Sequence, residues 1–530
     1  MENTNKNCTV TIETADSVEK VQVPAGTDLL TAQVMADLHP DAPCGGQGRC
    51  KKCLIDLIET DADGREQTRQ VVACTYPVTR DLHVRLIAPD KMHRILTDTS
   101  DSSTETEVNP LPVQGLDNRY LVAFDIGTTT IAGFLLDGKT GGRLAEAGRL
   151  NPQAQFGADV ISRCLYAQKN GRETLSRPVL EALNSLLAEL AASAGIQTAD
   201  ISQVALCGNT AMHHLLLKLP TEKLVTAPYD CGPRNSLLLS AEESGLCTAP
   251  GSKLRILPLI GSFVGADTAS CIEAVHFEQQ EQPILMIDIG TNGEIVLGNR
   301  DKRLACSTAA GPAFEGANIF CGMRGAEGAI DHITFDGKDL NVHVIGGGKA
   351  KGICGSGLLD AAAACLNAEL IDISGRIADP ADVAPHLRFR LTSVGPVRAI
   401  KLKDGIVLTQ KDIRELQLAK GAMAAGIGIL LKKYGIDDAS TQLGKVFIAG
   451  AFGTFLNPES ACRIGLIPGE LLDHIQAVGN AAGKGAQDCV LSETAMDRCL
   501  KLADETEFVE LANERGFQDL YVEMMGFPES

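Results

Sequence analysis

Apolar and polar residues alternate over Thr9–Ile12 and again over Glu19–Val23, a period of two that predicts the strands of a half-buried hairpin. The period then changes. Leu29–Leu38 carries apolar residues at helical spacing and predicts a short helix, after which Cys53–Ile58 returns to a strand pattern. Further on, alternation gives way to continuous apolar runs at Tyr120–Phe124 and Ile284–Ile287, the signature of strands buried on both faces. Each run ends in a tight glycine turn and leads into a second strand, Ile131–Leu136 in one case and Ile295–Leu297 in the other. A strand, a glycine turn and a strand, met twice, mark an internal duplication. Between these regions Asp98–Pro110 is rich in Ser, Thr, Asp and Glu and nearly free of large apolar side chains, so it reads as a linker. Thr409 and Asp412 have the spacing of a capping box, which predicts one long helix running through Leu431.

A chain of 530 residues with 44% hydrophobic content supports several ordinary cores. Its formal charge of -19 would repel a phosphate backbone over most of the surface, so a nucleic-acid partner is not expected. With no Trp and 4% aromatic residues there is also little from which to build a base-stacking platform. The N-terminal residues lack an apolar stretch, and no run of eighteen uncharged apolar residues occurs, so a cytoplasmic protein without a membrane span is expected. Seventeen cysteines, an odd number scattered without a disulfide framework, suit a reducing compartment and an anaerobic host.

Four of those cysteines stand apart. Cys44, Cys50 and Cys53 follow one another at C-x5-C-x2-C spacing among Gly45, Gly46 and Gly48, and Cys74 follows about twenty residues on. Four converging thiolates with small residues between them let the backbone wrap an iron–sulfur cluster and aim N–H groups at its sulfides. The spacing differs by one residue from the plant-type pattern and resembles the adrenodoxin branch of [2Fe-2S] ferredoxins. The order hairpin, short helix, strand matches a β-grasp ferredoxin. A structural zinc site is the alternative, since Cys50 and Cys53 form a C-x2-C pair, although zinc sites usually carry two such pairs.

The duplicated hairpins carry Asp125-Ile-Gly-Thr-Thr-Thr130 and Asp288-Ile-Gly-Thr-Asn-Gly-Glu294. A glycine turn with free N–H groups and Thr hydroxyls can cradle phosphate oxygens, and an Asp at the strand end can hold Mg2+ through water. A third glycine-rich turn, Val446-Phe-Ile-Ala-Gly450-Ala-Phe-Gly453, also follows a strand and would let a nucleoside approach the backbone. In this order the three segments resemble the phosphate-1, phosphate-2 and adenosine motifs of the actin, sugar kinase and heat-shock chaperone ATPases. Adding Cys207-Gly-Asn209-Thr-Ala-Met-His213-His, Gly261–Asp267, Ala309-Ala-Gly-Pro312-Ala-Phe-Glu315-Gly, Gly352-Ile-Cys-Gly355-Ser-Gly-Leu-Leu-Asp360 and the Thr409–Lys420 stretch, essentially the whole chain is similar to the reductive activators of corrinoid proteins.

That resemblance implies an α/β and α+β multidomain fold. It places a [2Fe-2S] ferredoxin-like domain at residues 1–90, a linker at 91–118, a middle domain with the first ribonuclease H-like lobe at 119–206 and an actin-like ATPase domain at 207–530. It implies ATP-dependent electron transfer from the cluster to the Co(II) of a corrinoid protein, regenerating Co(I) for methyl transfer, with ATP and Mg2+ as cofactors. A low-potential electron donor and a homodimer are implied as well. The expected cluster ligands are Cys44, Cys50, Cys53 and Cys74. Asp125 and Asp288 would organise Mg2+ and the attacking water, with Asp267 and Glu315 as proton acceptors or ligands to Mg2+-bound water. Gly127, Thr128, Thr129, Gly290, Thr291 and Asn292 would line the phosphates, and Gly450 and Gly453 the nucleoside. Each of these also has an ordinary reading as a turn or capping residue. Lys420 is read either as a nucleotide contact or as a solvated side chain, and the adjacent His213 and His214 as structural groups. Two rival functions remain: another ATP-driven electron injector, such as the activators of 2-hydroxyacyl-CoA dehydratases, which lack a ferredoxin domain, and a redox-switched binding scaffold. A sugar kinase would leave the cysteine motif without a role.

Overall fold

The structure is a computed structural model that describes residues 7–14, 17–36, 38, 48, 53–60, 66–86, 107–157 and 159–529. Cys44, Cys50 and most of the expected linker lie outside the described residues.

The N-terminal strands are β1 (Asn7–Glu13), β2 (Val18–Pro24), β3 (Leu54–Thr60), β4 (Glu66–Val72) and β5 (Leu82–Leu86), ordered β2-β1-β5-β3-β4. The central pair β1 and β5 is parallel and the other pairs antiparallel. This is a β-grasp arrangement. The predicted alternation is realised: Cys8, Val10 and Ile12 point into a core with Ile55, Leu57 and Val84, covered by the helix Leu29–Met35. Asp28 caps that helix by accepting a hydrogen bond from the Thr31 N–H at 2.9 Å.

Two six-stranded sheets follow. The first contains β6 (Tyr120–Ile126), β7 (Thr130–Asp137), β8 (Arg143–Leu150), β9 (Ile201–Gly208), β10 (Leu237–Ser240) and β11 (Lys253–Ile256), in the order β10-β11-β9-β6-β7-β8. The second contains β12 (Ile284–Ile289), β13 (Gly293–Gly298) and β14 (Arg303–Thr308). After a helical and three-stranded insertion come its remaining members, β21 (Val446–Ala449), β22 (Ile475–Gly479) and β23 (Thr506–Phe508). Its order is β22-β21-β12-β13-β14-β23. Each sheet has an antiparallel three-strand meander, flanked on the side of its first strand by parallel strands that enter through crossovers. The duplication read from two glycine turns is thus a duplication of whole sheets. The division expected at residues 206 and 207 falls inside β9, which is hydrogen-bonded to β6 on one side and β11 on the other, so the first sheet continues to Ile256.

The insertion in the second half holds two small sheets. One is formed by β15 (Ala329–Phe335), β16 (Leu340–Val344) and β17 (Gly352–Ile353), the other by β18 (Leu391–Val394), β19 (Val397–Lys403) and β20 (Ile406–Thr409). The long helix Gln410–Tyr434 starts at the expected capping box, with the Thr409 hydroxyl and the Asp412 carboxylate each accepting from the other's N–H.

A continuous core runs from the first sheet to one face of the second, from Leu121 and Phe124 to Met286, Val296 and Phe447. Two helices lie within it, Ala266–Ala274 and Ala481–Leu491, packed on each other. They touch through backbone. A Cβ on Gly485 would stand 2.0 Å from the Ser270 carbonyl oxygen, and the Ser270 hydroxyl donates to the Ala482 carbonyl at 2.6 Å.

Candidate functional site

The pairing of β6 with β7 and β12 with β13 sets Asp125 and Asp288 at equivalent ends of equivalent strands. Asp267, in the first turn of the helix Ala266–Ala274, and Glu294 on β13 join them. The three aspartates keep an accessible edge while protein packs around the rest of each carboxyl. Burial pushes Asp125 up to about 6, opposed by hydrogen bonds from Asn480 and the Cys207 thiol. It pushes Asp288 up to about 6 as well, reinforced by the charge of Asp125. Asp267 and Glu294 are raised in the same way, first by burial and then by their acidic neighbours. Four acids sharing one desolvated region repel one another, and a divalent cation would relieve that repulsion. Among the described residues no three His, Cys, Asp or Glu side chains are placed to ligate one metal ion directly. Carboxylates gathered in this way are a donor type that suits Mg2+, which usually keeps several of its waters in phosphate sites.

The two duplicated glycine turns lie against each other. Thr129 Oγ1 of the first turn is 3.5 Å from Thr291 Oγ1 of the second, and Glu315 joins them: Thr129 donates to its Oε2 at 2.7 Å and Thr291 to its Oε1. Two side-chain amides that the sequence reading gave no role brace the first turn. Asn151 Nδ2 donates to the Gly127 carbonyl at 2.8 Å, and Asn209 Nδ2 to Thr128 Oγ1 at 3.0 Å. In the second turn the Gly290 N–H reaches the Asn292 carbonyl at 3.0 Å. Gly450 has φ +87°, and a Cβ there would stand 2.6 Å from Asp288 Oδ1, so the adenosine turn presses on the second aspartate as only glycine permits. Gly453 is buried one turn later against Ile448, away from the acids. Arg163, almost fully buried, lies close enough to Glu315 for that charge to offset part of the burial that lowers its pKa to about 10. Beside the turns, a small, partly open pocket is lined by Val160, Cys164, Asn209, Phe263 and Asn292 among others.

Lys420 behaves in neither of the two expected ways. It is buried, donates to the Gly526 carbonyl and faces the Phe527 ring, tying the long helix to the C-terminal segment. Burial lowers its pKa to about 8. His214 contacts the Pro220 and Cys231 carbonyls through its two ring nitrogens, a structural role, and burial lowers the neighbouring His213 to about 4.

At the other end of the chain, Cys53 precedes β3 and Cys74 sits in the 3-10 turn Ala73–Thr75 after β4. The Cys74 N–H points at Cys53 Sγ, 3.5 Å away. Gly48 has φ +71°, and a Cβ on it would stand 2.9 Å from Thr75 Cγ2, so Gly48 lies beside the turn that carries Cys74. An N–H aimed at a cysteine sulfur and a glycine packed beside the turn of a second cysteine fit a thiolate-ligated cluster.

Paired lobes of this topology, each contributing a glycine turn and an aspartate to one cleft, define an actin-like ATPase. The family model for the RACo middle region matches residues 120–280, and that for the C-terminal ASKHA domain of RACo matches residues 282–530. The corrinoid activation enzyme RamQ of Eubacterium limosum is 32% identical to this chain, covering 90% of it and 92% of the relative. A [Co(II) methylated amine-specific corrinoid protein] reductase of Methanosarcina barkeri is 25% identical over 76% of each chain. The solved structure of a reductive activator for corrinoid, iron-sulfur protein superposes with a TM-score of 0.72 at 28% identity, over 98% of both chains. The chain belongs to the RACo family of reductive activators.

Proposed function

We propose that this protein is an ATP-dependent reductive activator that returns the cobalt of a partner corrinoid protein from Co(II) to Co(I), so that methyl transfer can resume. The observation that carries the reading is end-to-end similarity to a corrinoid activation enzyme, at 32% identity over 90% of the chain. A [2Fe-2S] cluster held by Cys44, Cys50, Cys53 and Cys74 would supply the one-electron donor. Mg-ATP would lie between the turns at Gly127–Thr129 and Gly290–Asn292, with Gly450 and Gly453 bordering the nucleoside. Asp125 and Asp288 would hold the cation through its waters, which would neutralise charge on the phosphates, and Asp267 would take up a proton from the attacking water. The chain contributes two lobes joined through one core, and its Thr hydroxyls and turn N–H groups orient the polyphosphate.

ATP has a thermodynamic task in this scheme. If the donor lies near about -400 mV, as in plant-type ferredoxins, and the cobalt couple lies lower, each 100 mV of gap costs about 2.3 kcal/mol per electron. The nucleotide can bridge that gap only if the lobes bind the corrinoid protein differently in different nucleotide states.

The test is an anaerobic titration of a Co(II) corrinoid protein with this protein and a low-potential reductant, following the cobalt absorbance with and without Mg-ATP. Co(I) formed only with Mg-ATP is the expected result. Equal formation without ATP at the same donor potential would remove the coupling. In parallel, Cys74→Ser should abolish the [2Fe-2S] absorbance and Co(I) formation while leaving ATP hydrolysis in place; an unchanged iron spectrum would remove Cys74 from the ligand set.

A further inference from the structure

Glu315 occupies an unusual position: one carboxylate accepts from hydroxyls of both phosphate turns, one from each half of the duplication. Those two hydroxyls stand 3.5 Å apart, and a group that bridges the halves at this point must contact both. A terminal phosphoryl group is such a group, since it too is an anion with several acceptor oxygens. A carboxylate and a phosphoryl group cannot share the same two donors. The segment bearing Glu315 is set off by a glycine on each side. It is a single 3-10 turn, Pro312–Glu315, bounded by Gly311 at φ +75° and Gly316 at φ +73°. Phe314 in this turn packs on Phe452 of the adenosine turn, with ring centroids 5.2 Å apart. Gly316 lies against the Met323 backbone, where a Cβ would stand 2.5 Å from the Met323 carbonyl oxygen, so the turn is in contact with the next loop.

We propose that Glu315 is a specificity-determining latch that distinguishes a nucleoside triphosphate from a diphosphate. Its carboxylate holds Thr129 and Thr291 in the place of the terminal phosphoryl group, and only a ligand that brings that group displaces it. The incoming anion then inherits the neighbourhood of Arg163, whose charge Glu315 otherwise answers. A diphosphate does not extend to the hydroxyl pair and binds with the latch in place. Displacement of Glu315 shifts the Pro312–Glu315 turn, and with it the contacts of Phe314 and Met323, so that arrival of the third phosphate is converted into loop movement. This inference rests on the cleft binding ATP as set out under the proposed function.

The test is calorimetric binding of Mg-AMPPNP and Mg-ADP to the full-length protein and to Glu315→Ala, with melting temperatures recorded for both. A latch lowers the apparent affinity for the ligand that must open it. Glu315→Ala should therefore bind Mg-AMPPNP about tenfold tighter, the range of one charge-assisted contact, with Mg-ADP changed less than twofold. Glu315→Gln keeps the shape but loses the charge and should show the same preference at about threefold. Unchanged or weaker Mg-AMPPNP binding by both variants, with wild-type melting temperatures, would overturn the latch. An equal gain for Mg-ADP would overturn the selectivity for the third phosphate. Failure of the wild-type protein to bind either nucleotide would instead remove the ATP reading itself.

Discussion

The two phosphate turns descend from the same strand, turn and strand unit, yet they are held in different ways. The first is anchored within its own lobe. Asn151 pins the Gly127 carbonyl, its N–H reaches the Thr129 carbonyl at 2.8 Å, and Asn209 holds Thr128. The Glu315 carboxylate touches both turns, through Thr129 and Thr291; beyond that, the second is held by its own Gly290 to Asn292 hydrogen bond, by the Thr308 hydroxyl donating to the Gly293 carbonyl at 3.1 Å and by the close approach of Gly450 to Asp288. A turn braced by buried amides is built before its ligand arrives. Duplication thus supplied two copies of one glycine turn, and their surroundings brace the first with side-chain amides and the second with a hydroxyl and a neighbouring glycine turn.

The strongest way to break this comparison is to neutralise the aspartates. Asp125→Asn and Asp288→Asn should each slow ATP hydrolysis by about 100- to 1000-fold in a phosphate-release assay, the scale of losing a preorganised electrostatic contact. A loss confined to one variant would show that the cation is organised from one lobe only. Next in size, Asn151→Ala should cost about 1–3 kcal/mol of stability, because it strips a partner from a buried carbonyl. The expected drop in melting temperature checks it, and no drop would mean that the first turn needs no brace.

A smaller effect concerns pH. Asp125 and Asp288 have folded-state pKa values of about 6, above their ordinary value of 3.8, so the folded protein binds more protons than the unfolded chain between those limits. Their contribution to stability is therefore complete below about pH 4 and is lost as pH rises through about 6. Melting measured without Mg2+ should fall by several degrees between pH 5 and pH 7.5, and Mg-ATP should shrink that difference; a cluster that melted higher at pH 7.5 would be one that folds as paired anions. The smallest effect is expected at Lys420. Lys420→Met should change the nucleotide dissociation constant less than twofold, since the amine bonds the Gly526 carbonyl, and a larger change would place it in the site after all.

Local chemistry made much of this legible in the sequence. Both glycine turns, the strands on either side, the Thr409–Asp412 capping box and the alternation of β1 rest on neighbours a few residues apart, and the structure has them where the pattern put them. What escaped was held at a distance. Asn209 reaches a hydroxyl 81 positions away and Glu315 one 186 positions away, and no local pattern encodes such pairings. Lys420 was misread for a related reason. A lysine in a helical stretch looks solvated until the chain's last residues fold back over it, placing Gly526 and Phe527 beside it. Asn151 and Asn209 did carry a signal, since each stands where a strand gives way to the following turn, the usual place for a capping amide.

The crossing of Ala266–Ala274 with Ala481–Leu491 has a mechanical meaning. Where Gly485 lies on Ser270, the helices meet backbone to backbone, and the Ser270 hydroxyl ties them by donating to the Ala482 carbonyl at 2.6 Å. The crossing works as the rivet of a pair of shears, and points beside a rivet travel least. The acid cluster is beside it: Cys207 contacts both Asp125 and the Ala482 carbonyl, and Cys271, one residue past Ser270, contacts Asp288. Residues beside that crossing thus set the spacing of the carboxylates.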